Sequence, residues 1–428
     1  MLHFGIGALI AFFPVLAKMY SVLIILFGLY FVIKNKNRNH EVLYVVAYLV
    51  GSEVFLRSNH GISYEFAKYF MLLFLILGMF YNGISKKAYP YFIFLLLLLP
   101  GILISFFTLE SDIRRKVVFD ISGPICLAVC SLYTYKKKIT FRKINTILLV
   151  IGLPILSTCI FLFINSPTGS FTSGVMESSF SFSGGFGPNQ MSTILGLGMF
   201  VFCARLILIS STKSMILLTM ALVAYIYYRG LLTFSRGGMI TGIAIIVLLL
   251  LSLYFNSKHY QNIKLKAGLA VSVLLIVSAA TIYQTNGALP KRYATIFTPA
   301  KKAPGDTSRR ERIARKELKL FKENPMLGIG VGKGKEIRKK EFGANTSSHS
   351  EMTRLLAEHG LLGLISLLIL LYTPIHLWIS NRHNIYLLSF IGFWFLTVNH
   401  SGMRIAAPAF IYGLALLNIK FNRKAIVN

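Results

Sequence analysis

Apolar runs of near bilayer-crossing length recur along almost the whole chain, parted by short polar loops, and one long polar stretch interrupts them. A helix needs about 20 apolar residues to cross the hydrocarbon core of a bilayer. Runs of that order fall at roughly 15–33, 42–57, 64–83, 90–107, 117–135, 146–165, 189–209, 214–232, 238–255, 265–283, 353–378, 384–399 and 404–420. Residues 2–14 are read as a further short helix or as part of the first span. The pattern predicts an all-α polytopic membrane protein with about 12–14 transmembrane helices and one large external helical loop. It divides into N-terminal transmembrane helices (1–165), central helices (166–283), the polar loop (284–352), and C-terminal helices with a cytoplasmic tail (353–428).

Composition agrees, with 55% hydrophobic and only 14% charged residues, where soluble domains carry about 25% charged. The net charge of +30 is therefore no nucleic-acid signal, because most Lys and Arg sit in loops between apolar runs and set topology. One set of loops holds Lys34, Lys36 and Arg38, then Lys86 and Lys87, Lys136 to Lys143, Lys258 to Lys266, and the tail Lys420, Arg423 and Lys424. The alternate loops are poor in Lys and Arg, apart from Arg114, Arg115 and Lys116, which Glu110 and Asp112 partly offset. The positive-inside rule puts the first set in the cytoplasm and the long polar loop outside. That loop exceeds the roughly 60 residues within which loop charges count, so its own basicity does not reverse the assignment. Arg57, the turn 184–190, Arg236, His349 and Arg404 then share the outer face. Cys126, Cys130, Cys159 and Cys203 all lie in apolar runs, which reads as buried small hydrophobes.

The long loop carries the candidate chemistry. It holds 16 Lys and Arg between Lys291 and Lys340, against 6 Asp and Glu between 285 and 350. Asp306 to Asn324 reads as an amphipathic helix, with Ile313, Ala314, Leu318, Leu320 and Phe321 on one face and Arg309, Arg310, Arg312 and Arg315 among its cations. Pro325 stops it. Such a helix lies at a membrane surface, where it binds anionic lipid headgroups or grips the phosphates of a substrate. The alternating glycines and lysines of 328–335 read as a flexible turn or as backbone that approaches an anion. Ser348 and Glu351 fit a capping box, placing His349 in the first turn of the helix entering the membrane, with Arg354 one turn on. A helix N-terminus favours anions and a neutral imidazole. A base and a cation there suit group transfer from a phosphate leaving group, although a lone histidine is more often structural.

Three further features sit at the mouths of spans. Arg236 lies in Phe234-Ser235-Arg236-Gly237-Gly238, as a snorkelling cation or a ligand contact. Asn189 heads a span after Gly184-Gly185-Phe186-Gly187-Pro188, to cap the helix or bond sugar hydroxyls. Arg57 and Glu53 form an i,i+4 pair, more a lock than a lining. With three Asp in the chain, no D-x-D and no zinc-type His/Cys spacing, neither a metal nor another cofactor is expected.

In order along the chain, Phe186-Gly187-Pro188-Asn189-Gln190, Ser235-Arg236-Gly237, Arg310 ahead of Pro325-Met326-Leu327-Gly328-Ile329-Gly330, and His349 ahead of Gly360-Leu361-Leu362-Gly363 resemble the O-antigen ligase and O-antigen polymerase superfamily of bacterial membrane glycosyltransferases. The resemblance covers roughly residues 184–375. It implies a glycan donor linked to undecaprenyl pyrophosphate and an acceptor that is lipid A core or a second lipid-linked glycan. Transfer would invert the anomeric centre without a metal, at the external face of the bacterial cytoplasmic membrane. It further implies that Arg236 and Arg310 hold pyrophosphate, with Arg309 and Arg312 close enough to Arg310 to share the assignment, and that His349 activates or positions the acceptor hydroxyl. Read from the residues themselves, Arg354 is another candidate cation for pyrophosphate, and Asn189, Arg57, Ser350 and Glu351 are candidate contacts to glycan or acceptor. Ser350 stands where the family commonly has Asn. The rival reading is a flippase or transporter of lipid-linked saccharides, which would show repeated spans and ionisable residues near the midplane; here the polar residues gather at one face.

Overall fold

The computed structural model describes residues 1–110, 112–166, 178–256, 263–294, 309–342, 348–380 and 384–420. Its helices are α1 (Leu2–Phe12), α2 (Leu16–Asn35), α3 (Glu41–Ser58), α4 (Phe66–Asn82), α5 (Tyr89–Thr108), α6 (Ile113–Thr134), α7 (Phe141–Asn165), α8 (Pro188–Leu208) and α9 (Lys213–Leu232). They continue as α10 (Arg236–Asn256), α11 (Ile263–Gln284), α12 (Ala288–Ala294), α13 (Arg309–Glu323), α14 (Lys333–Phe342), α15 (Glu351–Ser380), α16 (Leu387–His400) and α17 (Ala407–Ala415). Every apolar run corresponds to a helix, and the chain is an all-α polytopic membrane protein. Nine helices among the described residues are long and apolar enough to cross a bilayer, fewer than the 12–14 expected. The shortfall has local causes. α3 carries Glu41, Glu53 and Arg57, while α4, α16 and α17 are short. The last expected span ends early because Asn418–Lys420 leaves the helix and pairs, in parallel, with Lys138–Thr140.

α8 is buried around nearly its whole circumference, as expected for an apolar helix at the centre of a bundle. It crosses α10 at backbone contact distance: a Cβ on Gly196 would stand 2.3 Å from the Gly238 carbonyl oxygen, the small-residue packing of membrane helices. α2, α5 and α11 turn Leu26, Phe27, Leu96, Leu103, Leu275 and Ile276 outward, where lipid rather than protein would cover them. The four cysteines are buried thiols.

The loops sort to two ends. At one, Lys143 reaches Asn39 at 3.2 Å, Lys137 reaches the Gly83 carbonyl at 3.3 Å, and the Lys136 amide bonds the Leu416 carbonyl at 2.9 Å. These belong to the Lys-rich set. The other end collects the loops poor in Lys and Arg together with the described parts of the long basic loop.

Within that basic loop, two expectations change. The segment 328–332 is no flexible turn. Its amides are consumed in order: Ile329 bonds the Ala357 carbonyl at 3.0 Å, Gly330 that of Glu358 at 3.2 Å, Val331 that of Gly101 at 3.1 Å, and Gly332 the Glu358 carboxylate at 2.9 Å. The carbonyls of α15 are available because the helix breaks at Gly360, with φ 59° and ψ −135°. Gly328, Gly330 and Gly332 all hold positive φ, a backbone that glycine adopts without a Cβ clash. The segment is a wedge between α5 and α15. The amphipathic helix α13 likewise packs on α15, burying Ile313 and Leu320, while Leu318 turns out to solvent. Residues 306–308 of the expected helix lie outside the described part.

Candidate active site

The site is built from three turns that meet at the end of the bundle opposite the Lys-rich loops. The first joins α9 to α10. Phe234 is fully buried in left-handed backbone, φ 52°, which turns the chain sharply before α10. Ser235 then donates to the Asn189 side-chain carbonyl at 2.9 Å and accepts from Ser192 at 2.9 Å. Asn189 is thus held by its oxygen, and its amide nitrogen has no partner among the described residues. Arg236, next in sequence, bonds the Arg292 carbonyl through Nη1 at 3.2 Å. Gly237 leaves room for the His400 ring, whose Cδ2 would lie 2.4 Å from an added Cβ.

The second turn carries His349. A capping box from Ser348 does not form. Ser350 is the N-cap instead, accepting from the Thr353 amide at 3.4 Å, so His349 stands one residue before the cap. Ser348 is drawn elsewhere. Its hydroxyl donates to Glu317 of α13 at 3.1 Å, and the Thr353 hydroxyl reaches the same oxygen at 2.6 Å. The other Glu317 oxygen pairs with Arg338 at 2.7 Å, both side chains being buried. Burial pushes the Glu317 carboxyl up, and Arg338 with the two hydroxyls pulls against it.

The His349 imidazole is neutral. Burial first, then the charges of Arg404 and Arg310, lower its pKa from 6.5 to about 3, against a hydrogen bond to the His400 carbonyl. Nδ1 is buried and has no partner among the described residues. A neutral imidazole with a bare ring nitrogen can accept a proton.

The third turn joins α16 to α17 and holds Arg404. Arg404 donates to the Ser348 carbonyl at 3.1 Å. Beneath it, Arg57 donates to the Arg404 carbonyl at 3.0 Å and to Glu53 at 3.3 Å, and Glu53 takes the Ala406 amide at 2.7 Å. The Arg57 guanidinium lies between two rings, 4.1 Å from the centre of Tyr64 and 5.3 Å from that of Phe186. Arg57 is buried; it locks the turn rather than facing an open space.

Arg236, Arg310 and Arg404 therefore converge from α10, α13 and the α16–α17 turn. Burial, then the charges of Arg404 and Arg236, depress the Arg310 pKa. Burial also depresses that of Arg404. Among the described residues neither Arg310 nor Arg404 has a carboxylate within 4 Å. Cations crowded this way favour an anion between them. Arg312 is exposed on the outer side of α13, and the side chain of Arg309 lies outside the described part. Arg310 is brought to the cluster, within reach of the charges of Arg404 and Arg236.

Arg354 and Glu351 lie beside Arg404 but are taken up by ion pairs of their own. Arg354 is buried, pairs with Glu351 and with Glu358 at 2.6 Å, and donates to the Asp120 carbonyl at 2.8 Å. These charges tie α15 to α6, and Glu351 and Arg354 line a small cavity together with Ser348 and Arg404. Ser350 bonds Asn399 at 3.2 Å. Sequence reasoning placed Arg404 on the same face as Arg236 and His349 without giving it a role, and it missed Glu317 and His400. The polar run Asn399-His400-Ser401-Gly402-Met403-Arg404 between two apolar stretches was the available signal for two of them.

A family model described as O-antigen ligase matches residues 221–368, the stretch that contains Arg236, Arg310 and His349. No curated protein matches the chain. Over residues 221–368 the chain carries the sequence signature of the O-antigen ligase family, and the resemblance drawn from its motifs holds.

Proposed function

We propose that the protein is a membrane glycosyltransferase of the O-antigen ligase and polymerase type. It moves a glycan from undecaprenyl pyrophosphate to an acceptor hydroxyl, on lipid A core or on a second lipid-linked glycan. The reaction takes place at the outer face of the bacterial cytoplasmic membrane. The observation that carries this reading is the meeting of Arg236, Arg310 and Arg404 beside a neutral His349 whose Nδ1 lacks a partner.

The chemistry follows from that arrangement. The donor pyrophosphate lies among the three guanidinium groups, which offer forked donors and compensate its charge. The acceptor oxygen attacks the anomeric carbon from the side opposite pyrophosphate, and its proton passes to His349 Nδ1. The bond between that carbon and the phosphate oxygen breaks, and its electron pair leaves on undecaprenyl pyrophosphate, where the arginines stabilise it. The configuration inverts. No step needs a metal. With its pKa near 3 in the free protein, His349 is a weak base until the bound anion offsets Arg404 and Arg310 and raises its proton affinity. The donor thus prepares its own base.

The test is purified protein in liposomes with a lipid-linked glycan, offered lipid A core or a second lipid-linked glycan. Wild type transfers; His349→Ala and Arg236→Ala do not. Full activity in both variants would sink the assignment, and the acceptor used separates ligase from polymerase.

A further inference from the structure

The arginine cluster accounts for an anion but not for a sugar. A separate pocket of about 650 Å³ opens at the same end of the bundle, between the start of α4 and the start of α6. Its size falls in the roughly 300–1,000 Å³ range of small-molecule sites. Its walls include Tyr64, Tyr69, Phe119, Glu65, Arg114 and Arg115. Tyr64 and Phe119 stack with ring centres 5.1 Å apart at 25°, and Tyr69 is largely exposed. The Glu65 carboxylate is half used: Oε2 accepts from Lys68 at 3.0 Å and from Ser122 at 2.8 Å, and Oε1 is buried without a partner among the described residues.

The chemistry of these walls differs from that of the cluster. Tyr69 offers an open ring, whereas Tyr64 and Phe119 stack on each other with Arg57 over the first at 4.1 Å and Lys335 over the second at 3.5 Å. Glu65 and Asp112 balance Arg114 and Arg115, so the pocket has acceptors and donors without a large net charge. Hydroxyl groups want both, and the carbon–hydrogen face of a pyranose wants a ring beneath it. A phosphate would be repelled by the carboxylates that a sugar hydroxyl would bond.

The pocket also lies beside the reaction site. A second, small cavity of about 30 Å³ shares Tyr64 and Phe119 as a wall and is bounded on its other side by Ser348 and Arg404. Ser348 precedes His349. A saccharide in the large pocket is therefore one stacked ring pair away from the turn that bears the base.

We propose that this α4–α6 pocket seats the acceptor saccharide, holding a sugar ring on Tyr69 against the wall formed by the Tyr64–Phe119 pair and its hydroxyls on Glu65, Arg114 and Arg115, while the arginine cluster holds the donor's pyrophosphate. The assignment of acceptor rests on the glycosyltransferase reading; the sugar seat does not.

The experiment uses two soluble probes on the purified full-length protein in detergent. One is the oligosaccharide freed by mild acid from the cell's own lipid-linked glycan; the other is inorganic pyrophosphate. Binding is read by saturation-transfer NMR. Tyr69→Ala and Arg115→Ala weaken the oligosaccharide about tenfold or more and leave pyrophosphate binding as in wild type, which also shows that the variants are folded. Arg310→Ala does the reverse. In liposomes the two pocket variants raise the KM for acceptor and not for donor. Oligosaccharide binding unchanged in both variants, or absent from wild type, overturns the proposal. Selective loss of oligosaccharide binding in the variants, in a wild type that transfers nothing, upholds the seat and removes the glycosyltransferase reading instead.

Discussion

Arg404 donates through Nη2 to the carbonyl of Ser348 at 3.1 Å, tying a cation of the α16–α17 turn to the residue before His349. The base and one arm of the anion site are thus one mechanical unit. Arg404→Ala removes both the charge and the tether, and loss of a group that stabilises a leaving anion costs about 10²–10³ in turnover. Arg404→Lys keeps a charge and loses the planar fork, so it should recover part of the activity. Turnover with the lipid-linked donor decides the matter, and a lysine variant equal to wild type would show that the planar fork is not needed.

His349 gives a pH signature whose sign follows from its environment. Its pKa is lowered from 6.5 to about 3 by burial and by the charges of Arg404 and Arg310. In the free protein the imidazole therefore stays neutral between roughly pH 5 and 8. Bound pyrophosphate offsets those charges and raises the pKa. The profile of kcat/KM reports the free enzyme and that of kcat the bound complex. The acid limb in kcat should lie at higher pH than the limb in kcat/KM. Histidine NMR should likewise show no His349 titration between roughly pH 5 and 8 without ligand, and an upward move on adding pyrophosphate. A His349 that titrates near its ordinary value in the free protein would contradict the burial argument.

Glu317 serves the site through Ser348, without facing it. It joins Arg338 of α14 to the hydroxyls of Ser348 and Thr353, and it shares α13 with Arg310. Glu317→Ala removes the carboxylate paired with the buried Arg338, and breaking a buried pair costs about 3–5 kcal/mol in comparable cases. The double variant Glu317→Leu with Arg338→Met removes both charges and should regain most of that stability. It does not regain the anchor of the His349 turn. Melting in detergent should recover in the double variant while kcat stays low. If kcat recovers with stability, Glu317 is only structural.

The spans were legible because a bilayer imposes length and apolarity on each helix, and the order Asn189, Arg236, Arg310, His349 was legible as a resemblance. Partners far apart in the chain were not. The Gly332 amide meets the carboxylate of Glu358, and nothing local to 328–335 separates that docked wedge from an open anion loop. The cap moved from Ser348 to Ser350 because Glu317, distant in sequence, captures the Ser348 hydroxyl. Periodicity located an apolar face on α13, but Leu318 lies off the side that α15 covers. Arg310 and Arg312 are alike in composition and differ only in which way the helix turns them.

Arg354 shows the same limit and yields the sharpest contrast between the two readings. Spacing places it one turn beyond Ser350, as a cation for the substrate. The structure buries it between Glu351 and Glu358 with a further bond to the Asp120 carbonyl. A phosphate ligand, once truncated, raises the donor KM and leaves the fold alone. A buried lock, once truncated, strands two carboxylates, and breaking such a pair costs about 3–5 kcal/mol. Arg354→Ala should therefore lower the melting temperature and the folded yield, and the protein that survives should bind inorganic pyrophosphate as wild type does. Arg310→Ala is the mirror case, since Arg310 has no carboxylate within 4 Å among the described residues; it should keep its melting temperature and lose pyrophosphate. A stable Arg354→Ala protein that has lost pyrophosphate binding would return Arg354 to the substrate site.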